Sequence, residues 1–287
     1  MLAARLNLAL YSPGGHHRDM IPEQEKSESI ERAALQSLHS HCPAATRNSL
    51  DLFCEEVADA LVVGAGKDPS ILLNRTLGLG TSGPQASERL TEIHKIYVDH
   101  GVERYFLHTY PDSLQDGDSA IVTVPLEPAR GWMKFKRGTQ AAPEGKCDLR
   151  VTRVGEAGAM DFGRIVAGAF GMTPAAAPAL AGMVADDRWH LFVSYEGEKA
   201  AGAGGLFVEG KVAWFEWGAT DPAFRRRGSQ GAIMRARIAA ALELGCTDMY
   251  TETGEAVGDD PQHSYGNIQR YGFEESILRK NWAPPRP

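Results

Sequence analysis

The stretch that most constrains this chain runs from Lys211 to Leu244, KVAWFEWGATDPAFRRRGSQGAIMRARIAAALEL. Val212 to Thr220 is β-branched and aromatic enough for a largely buried strand. Asp221 and Pro222 stop it, because proline cannot continue a ladder and Asp-Pro favours a turn. From Ser229 the apolar residues Ile233, Ala236, Ile238, Ala240, Ala241 and Leu244 follow helical spacing, and Gly245 is a natural terminator. Between strand and helix lies Arg225-Arg226-Arg227-Gly228-Ser229-Gln230. No acidic residue occurs from Pro222 to Leu242, whereas five arginines do. The loop thus brings positive side chains and free backbone N–H groups to a helix N-terminus, a ready anion site.

The cluster stands out because the rest of the chain is acidic. Its 287 residues carry a formal charge of -7, which argues against a general nucleic-acid binder. Four scattered cysteines (Cys42, Cys54, Cys147, Cys246) lack a zinc-ligand spacing, so reduced thiols in a cytoplasmic protein are expected. His16-His17 and His39/His41 lack a supporting carboxylate pattern, and no metal is expected. The apolar start MLAARLNLALY is a poor signal peptide, and nothing later approaches the ~20 apolar residues of a membrane span.

Composition divides the chain. Residues 1–25 read as a loosely attached extension, and Ala141-Ala142-Pro143-Glu144-Gly145 has linker character. Domains are therefore expected at 26–140 and 148–287, joined by 141–147. In the first, helices are expected over Glu28–His39, from Asn48-Ser49 through Leu61, and from Ser87 to Gly101. Strands are expected near Ile71–Leu77, Arg104–Thr109 and Trp132–Phe135, with loop between Asp112 and Asp118. In the second, the order is strand (148–154), helix (157–171), helix (173–184), strands 189–195 and 200–208, the strand–loop–helix above, strand 249–253, helix 262–271 and strand 273–281.

Both that order and the loop resemble the GCN5-related N-acetyltransferases, whose cofactor loop follows (Arg/Gln)-x-x-Gly-x-(Gly/Ala). Arg225, Gly228 and Gln230 occupy those positions, Gln230 departing from the usual small residue. The resemblance implies an α/β (α+β) fold of two tandem acyl-CoA N-acyltransferase-like domains. Each would have a mixed, mostly antiparallel central sheet flanked by helices. Leu72–Gly80, Ser87–His100 and Arg104–Thr109 parallel Val212–Gly218, Ala232–Leu244 and Met249–Thr253, and Ala129–Trp132 parallels Arg270–Phe273. The first copy is expected to hold no cofactor, since the loop from Gly80 to Ala86 has no arginine and leads to Glu88.

The resemblance further implies that acetyl-CoA is the acyl donor. Backbone groups of Arg226, Arg227, Gly228, Ser229 and Gln230 would hold its pyrophosphate, and Arg225 and Arg227 would supply charge. Gly218, Ala219 and Thr220 would line the pantetheine arm, and Asn267 would steady the cofactor. A small-molecule amine would then attack the thioester directly. Glu216 and Glu252 are base candidates, though each reads more readily as an ordinary exposed strand carboxylate. The acid position often held by tyrosine is Ile268 here, with Tyr265 and Tyr271 flanking it at i and i+6 on different helix faces. A non-catalytic acyl-CoA sensor would use the same loop. The acceptor and the oligomeric state are not legible.

Other motifs compete poorly. Gly78-Leu79-Gly80-Thr81-Ser82-Gly83 fits a dinucleotide pattern, but Pro84 follows and no alternating βαβ units do. Gly64-Ala65-Gly66-Lys67 lacks the first glycine and the Ser/Thr of a phosphate loop.

Overall fold

The computed structural model describes residues 22–79, 86–109, 124–258 and 263–286. Residues 1–21 of the extension expected over 1–25, Gly80–Gln85 of the loop expected to hold no cofactor, and residues 110–123 lie outside them.

Helix α1 (Pro22–His41) opens with proline at its first position, where the missing N–H costs nothing. Its face of Ile30, Ala34 and Leu38 is buried at i, i+4 and i+8. Helix α2 (Ala44–Leu50) stops at Asp51, whose φ of 51° sends its N–H back to the Arg47 and Asn48 carbonyls.

The helix expected from Asn48 through Leu61 is instead a hairpin, β1 (Leu52–Val57) with β2 (Ala60–Ala65). Leu50, Phe53, Val57 and Leu61 do have helical spacing, but Ala60-Leu61-Val62-Val63-Gly64-Ala65 is buried throughout and β-branched at its centre. A two-sided interior strand buries that run better than a helix with one apolar stripe. Phe53 lies across Gly64, where a Cβ would sit 2.1 Å from its ring.

The remaining elements are β3 (Arg75–Leu79), α3 (Ala86–Asp99), β4 (Phe106–Thr109), β5 (Glu127–Arg137), β6 (Arg150–Val154), α4 (Glu156–Ala169), α5 (Ala176–Gly182), β7 (Trp189–Glu196), β8 (Lys199–Glu209), β9 (Val212–Thr220), α6 (Ser229–Glu243), β10 (Asp248–Gly254), α7 (His263–Arg270) and β11 (Glu274–Ala283). Among the described residues they form one sheet in the order β1-β2-β3-β4-β11-β5-β10-β9-β8-β7-β6. Most neighbours are antiparallel, while β3–β4 and β9–β10 are parallel.

The order is crosswise at its middle. β5 precedes the linker but pairs with β10, and β11 ends the chain but pairs with β4. Hydrophobic packing follows the exchange: Trp282 of β11 lies in the core of Phe53, Tyr97 and Tyr105. On either side the two halves repeat, parallel pair beside antiparallel ladder, which agrees with the internal repeat read from sequence. In the short Ala129–Trp132 match, Gly131 lies inside β5 whereas Gly272 precedes β11.

Helices α1, α2, α4 and α5 cover one face of the second half around Phe162, Leu180, Trp189 and Trp214. Helices α6 and α7 cover the other around Phe135, Phe215, Ile238 and Phe273.

Candidate active site

Strands β9 and β10 pair only from Val212/Asp248 to Phe215/Thr251 and then part. β9 makes room for this with a bulge. Its ladder to β8 shifts between Gly205↔Glu216 and Ala203↔Ala219, and Trp217 takes a left-handed φ of 58°. Such a conformation is rare for a bulky residue and marks a place where the surroundings over-determine the backbone. Arg237 of α6 holds the bulge from below, donating to the carbonyls of Gly205 at 3.0 Å and Glu216 at 3.2 Å.

Past β9, Asp221 caps a single 3-10 turn by accepting from the Ala223 N–H. Arg226 and Gly228 then adopt positive φ, 61° and 81°, and α6 begins. A Cβ on Gly228 would lie 2.7 Å from the Lys146 carbonyl, so both conformation and space require glycine there. Ser229 turns its hydroxyl inward to Ser194 at 2.7 Å and leaves only backbone to the outside.

A groove of about 1030 Å³ runs along this loop. It gathers Gly218, Ala219, Thr220, Arg225, Arg226, Gly228, Ser229, Gln230 and Asn267, with Lys146, Arg235 and Arg270 adding charge that sequence reading missed. Among the described lining residues there is no carboxylate. Arg227 is elsewhere: it pairs with Glu196 at 2.5 Å and lies over the Phe224 ring. Tyr271 lines the groove with its hydroxyl over Gly231, accepting from Arg235 at 3.1 Å. Cations and a helix N-terminus entered through left-handed Arg226 and Gly228 together fit a phosphate-bearing ligand.

At Phe170, Gly218, Gln230 and Ser264 the groove meets a second cavity of about 420 Å³ in the gap between β9 and β10. Its walls come from both sides of the linker: Ile71, Leu72, Arg75 and Trp132 from the first, Glu216, Trp217, Glu252 and Ile268 from the second. Tyr265 points away, its ring edge-on to Phe135 in the core, where burial pushes its hydroxyl up to about 12. Neither flanking tyrosine reaches the cavity that holds Glu216, and the position between them presents an apolar side chain.

The two glutamates are not the exposed strand carboxylates that sequence allows. Their side chains are 11% and 7% exposed. Arg75 donates to both, Arg279 donates to Glu252 at 2.6 Å, and Trp214 Nε1 donates to Glu216 at 3.1 Å. Behind them Glu31 of α1 accepts from Arg279 and Lys134, and Glu28 pairs with both cations. The cluster holds four carboxylates (Glu28, Glu31, Glu216, Glu252) against three cations (Arg75, Lys134, Arg279). Burial opposes ionisation of Glu31, but Arg279, Lys134 and Arg75 together hold its carboxyl well below the usual range. For Glu216 and Glu252 burial outweighs the arginines; it raises Glu216 and pushes Glu252 up to about 8. Sequence gave no sign of this cluster, because its members are scattered from residue 28 to 279.

Among the described residues no three His, Cys, Asp or Glu side chains gather to hold a metal ion, and no helix is long and apolar enough to cross a membrane.

No family model matches the sequence, and no curated protein does. Solved structures do match the fold. A GCN5-related N-acetyltransferase from Kribbella flavida is 12% identical, with 91% of this chain and 96% of that one covered and a TM-score of 0.62. One from Sphaerobacter thermophilus is 13% identical over 87% and 90%, with a TM-score of 0.56. A tandem GNAT protein from the clavulanic acid biosynthesis pathway is 12% identical over 91% and 96%, at 0.53. The chain therefore has the GCN5-related N-acetyltransferase fold. More particularly, it has that fold in its tandem form, in agreement with the resemblance read from sequence.

Proposed function

We propose that this protein is an N-acyltransferase that moves an acetyl group from acetyl-CoA to the amine of a small molecule. The observation that carries the reading is the continuity of the two cavities. A cationic groove at a helix N-terminus leads, past Gly218, into a gap between parting strands whose floor is a pair of carboxylates.

In this reading residues 148–287 hold the donor and residues 26–140 wall the acceptor side. Arg225, Arg226 and the α6 N-terminus take the phosphates, while Gly218, Ala219 and Thr220 border the pantetheine arm and Asn267 flanks it. Bound acetyl-CoA supplies an activated acyl thioester. The chain must then take the proton that an ammonium loses before its nitrogen attacks. Glu252, held near neutral pH by burial, is suited to that task, and Glu216 lies beside it under the same Arg75 guanidinium. Ser264, at the junction of groove and cavity, would donate a hydrogen bond to the departing sulfur, whose proton would come from the amine by way of the glutamates.

The test is thiol release from acetyl-CoA in the presence of a panel of primary amines, with acetyl-CoA affinity measured in parallel by calorimetry. Binding with amine-dependent release supports the transferase. Tight binding with no release across the panel turns the reading to an acyl-CoA sensor, and the absence of binding removes both.

A further inference from the structure

The cavity lining sets Glu216 and Glu252 beside apolar walls of Ile71, Leu72, Trp132, Phe170, Trp217 and Ile268, with the hydroxyls of Ser70, Thr251, Thr253 and Ser264 among them. At about 420 Å³ it lies toward the small end of ligand sites, roughly 300–1,000 Å³. Phe170 stands at its mouth 38% exposed, 6.4 Å between ring centroids from Trp217. Trp217 is itself 3% exposed, and its indole N–H has no protein partner. The Trp132 ring centroid lies 5.6 Å from the guanidinium carbon of Arg75, which bonds both glutamates.

Charge decides which end of a ligand goes where. Glu216 and Glu252 are the two carboxyl groups of the lining, and they are the groups there that a ligand's cation can meet. Arg75, Lys134 and Arg279 are already bonded to the four glutamates. Arg237, the other guanidinium of the lining, commits its two terminal nitrogens to the Gly205 and Glu216 carbonyls and the Met234 sulfur, and its buried Nε has no partner among the described residues. An anionic ligand would lie against two carboxyl groups whose ionisation burial already opposes, whereas an ammonium would donate hydrogen bonds to them and favour the ionised form of both. The geometry points to an acceptor of one class: a primary amine borne on an aromatic or branched apolar body. Its ammonium docks against Glu216 and Glu252, and its body lies between Trp132 and Trp217. This deepens the reading above, on which the groove carries the thioester.

The experiment is calorimetry on the intact protein saturated with CoA, with phenethylamine, phenylalanine and putrescine as probes. Phenylalanine adds only a carboxylate to phenethylamine, and putrescine keeps an amine without the apolar body. Phenethylamine should bind at least about 30-fold tighter than either, within the range one buried apolar or polar group commands. Trp132→Leu should weaken phenethylamine about tenfold and putrescine little. No binding of phenethylamine, or equal binding of the other two, overturns the inference, whether or not the variant folds. Replacing CoA by acetyl-CoA separates this from the proposed activity. Phenethylamine binding without thiol release keeps the ligand class and removes the transferase. Release with putrescine but not phenethylamine keeps the transferase and removes the ligand class.

Discussion

Arg75 and Glu216 lie 141 residues apart in sequence and share a hydrogen bond at the point where β9 and β10 part. One opens β3, between β2 and β4 in the first half of the sheet, and the other comes from the bulged strand of the second. The cavity between β9 and β10 therefore depends on a guanidinium supplied by the half that carries none of the basic loop.

Arg75→Met should remove that cation while keeping much of its volume. Glu216 and Glu252 would then be left buried with only Arg279 near one of them. Breaking a buried pair from one side costs roughly 3–5 kcal/mol. Urea unfolding should show the loss as a lower midpoint. A midpoint unchanged within error would mean that the cluster adds nothing to stability.

The loop makes a separate prediction. Arg225 is exposed and lines the groove, so Arg225→Ala should weaken acetyl-CoA binding roughly tenfold, the worth of one charge-assisted hydrogen bond. The effect should shrink as salt is raised. Arg227→Ala should weaken binding less, because that side chain already pairs with Glu196. Calorimetry that ranks the two variants the other way would contradict the placement of these arginines.

Gly231 offers a test by paired substitution. A Cβ there would lie 2.3 Å from the Tyr271 hydroxyl and 3.2 Å from the next ring atom. Gly231→Ala should cost about 1–3 kcal/mol, as overpacking does. Adding Tyr271→Phe removes the closest atom and should recover most of the loss. Additive costs in the double variant would show that the two positions do not touch.

The pH dependence of stability follows from Glu252. Its carboxyl titrates near 4.3 in an unfolded chain and at about 8 in the folded one. Between those values the folded state keeps a proton that the unfolded state releases, so stability falls as pH rises through the window. Glu216, raised in the same direction, adds to the slope. Glu31, held low, does the reverse: its contribution is present above the ordinary carboxylate range and is lost on acidification. Unfolding midpoints measured between about pH 5 and 9 should decline toward pH 8 and then level. Glu252→Gln should flatten that decline and remove any limb near 8 from the rate profile.

Much of the second half was legible because its signals are local. Val212–Thr220, the Asp-Pro stop, the basic loop and the helix each announce themselves within a few residues, and the structure places the strand and helix there. The first half was less legible where local signals conflict. Leu50, Phe53, Val57 and Leu61 mimic a helix face, and only the buried partner strands make Ala60–Ala65 a strand. The cavity was hardly legible at all. Arginine, lysine and glutamate read as surface residues in any single sequence, and nothing near Arg75, Lys134 or Arg279 reveals that each is at most 1% exposed. Their pairing is decided by strand neighbours that lie more than a hundred residues away.

The crosswise placement of β5 and β11 makes the chain resemble a dimer whose two subunits have traded a strand and then been tied together. Cutting it between residues 141 and 147 would leave each piece with a raw sheet edge, β4 without β11 and β10 without β5. Neither piece should be soluble alone, yet the two made together in one cell should reassemble, since every broken contact is non-covalent. Gene truncation or fusion at that linker would then be tolerated only when both pieces travel together.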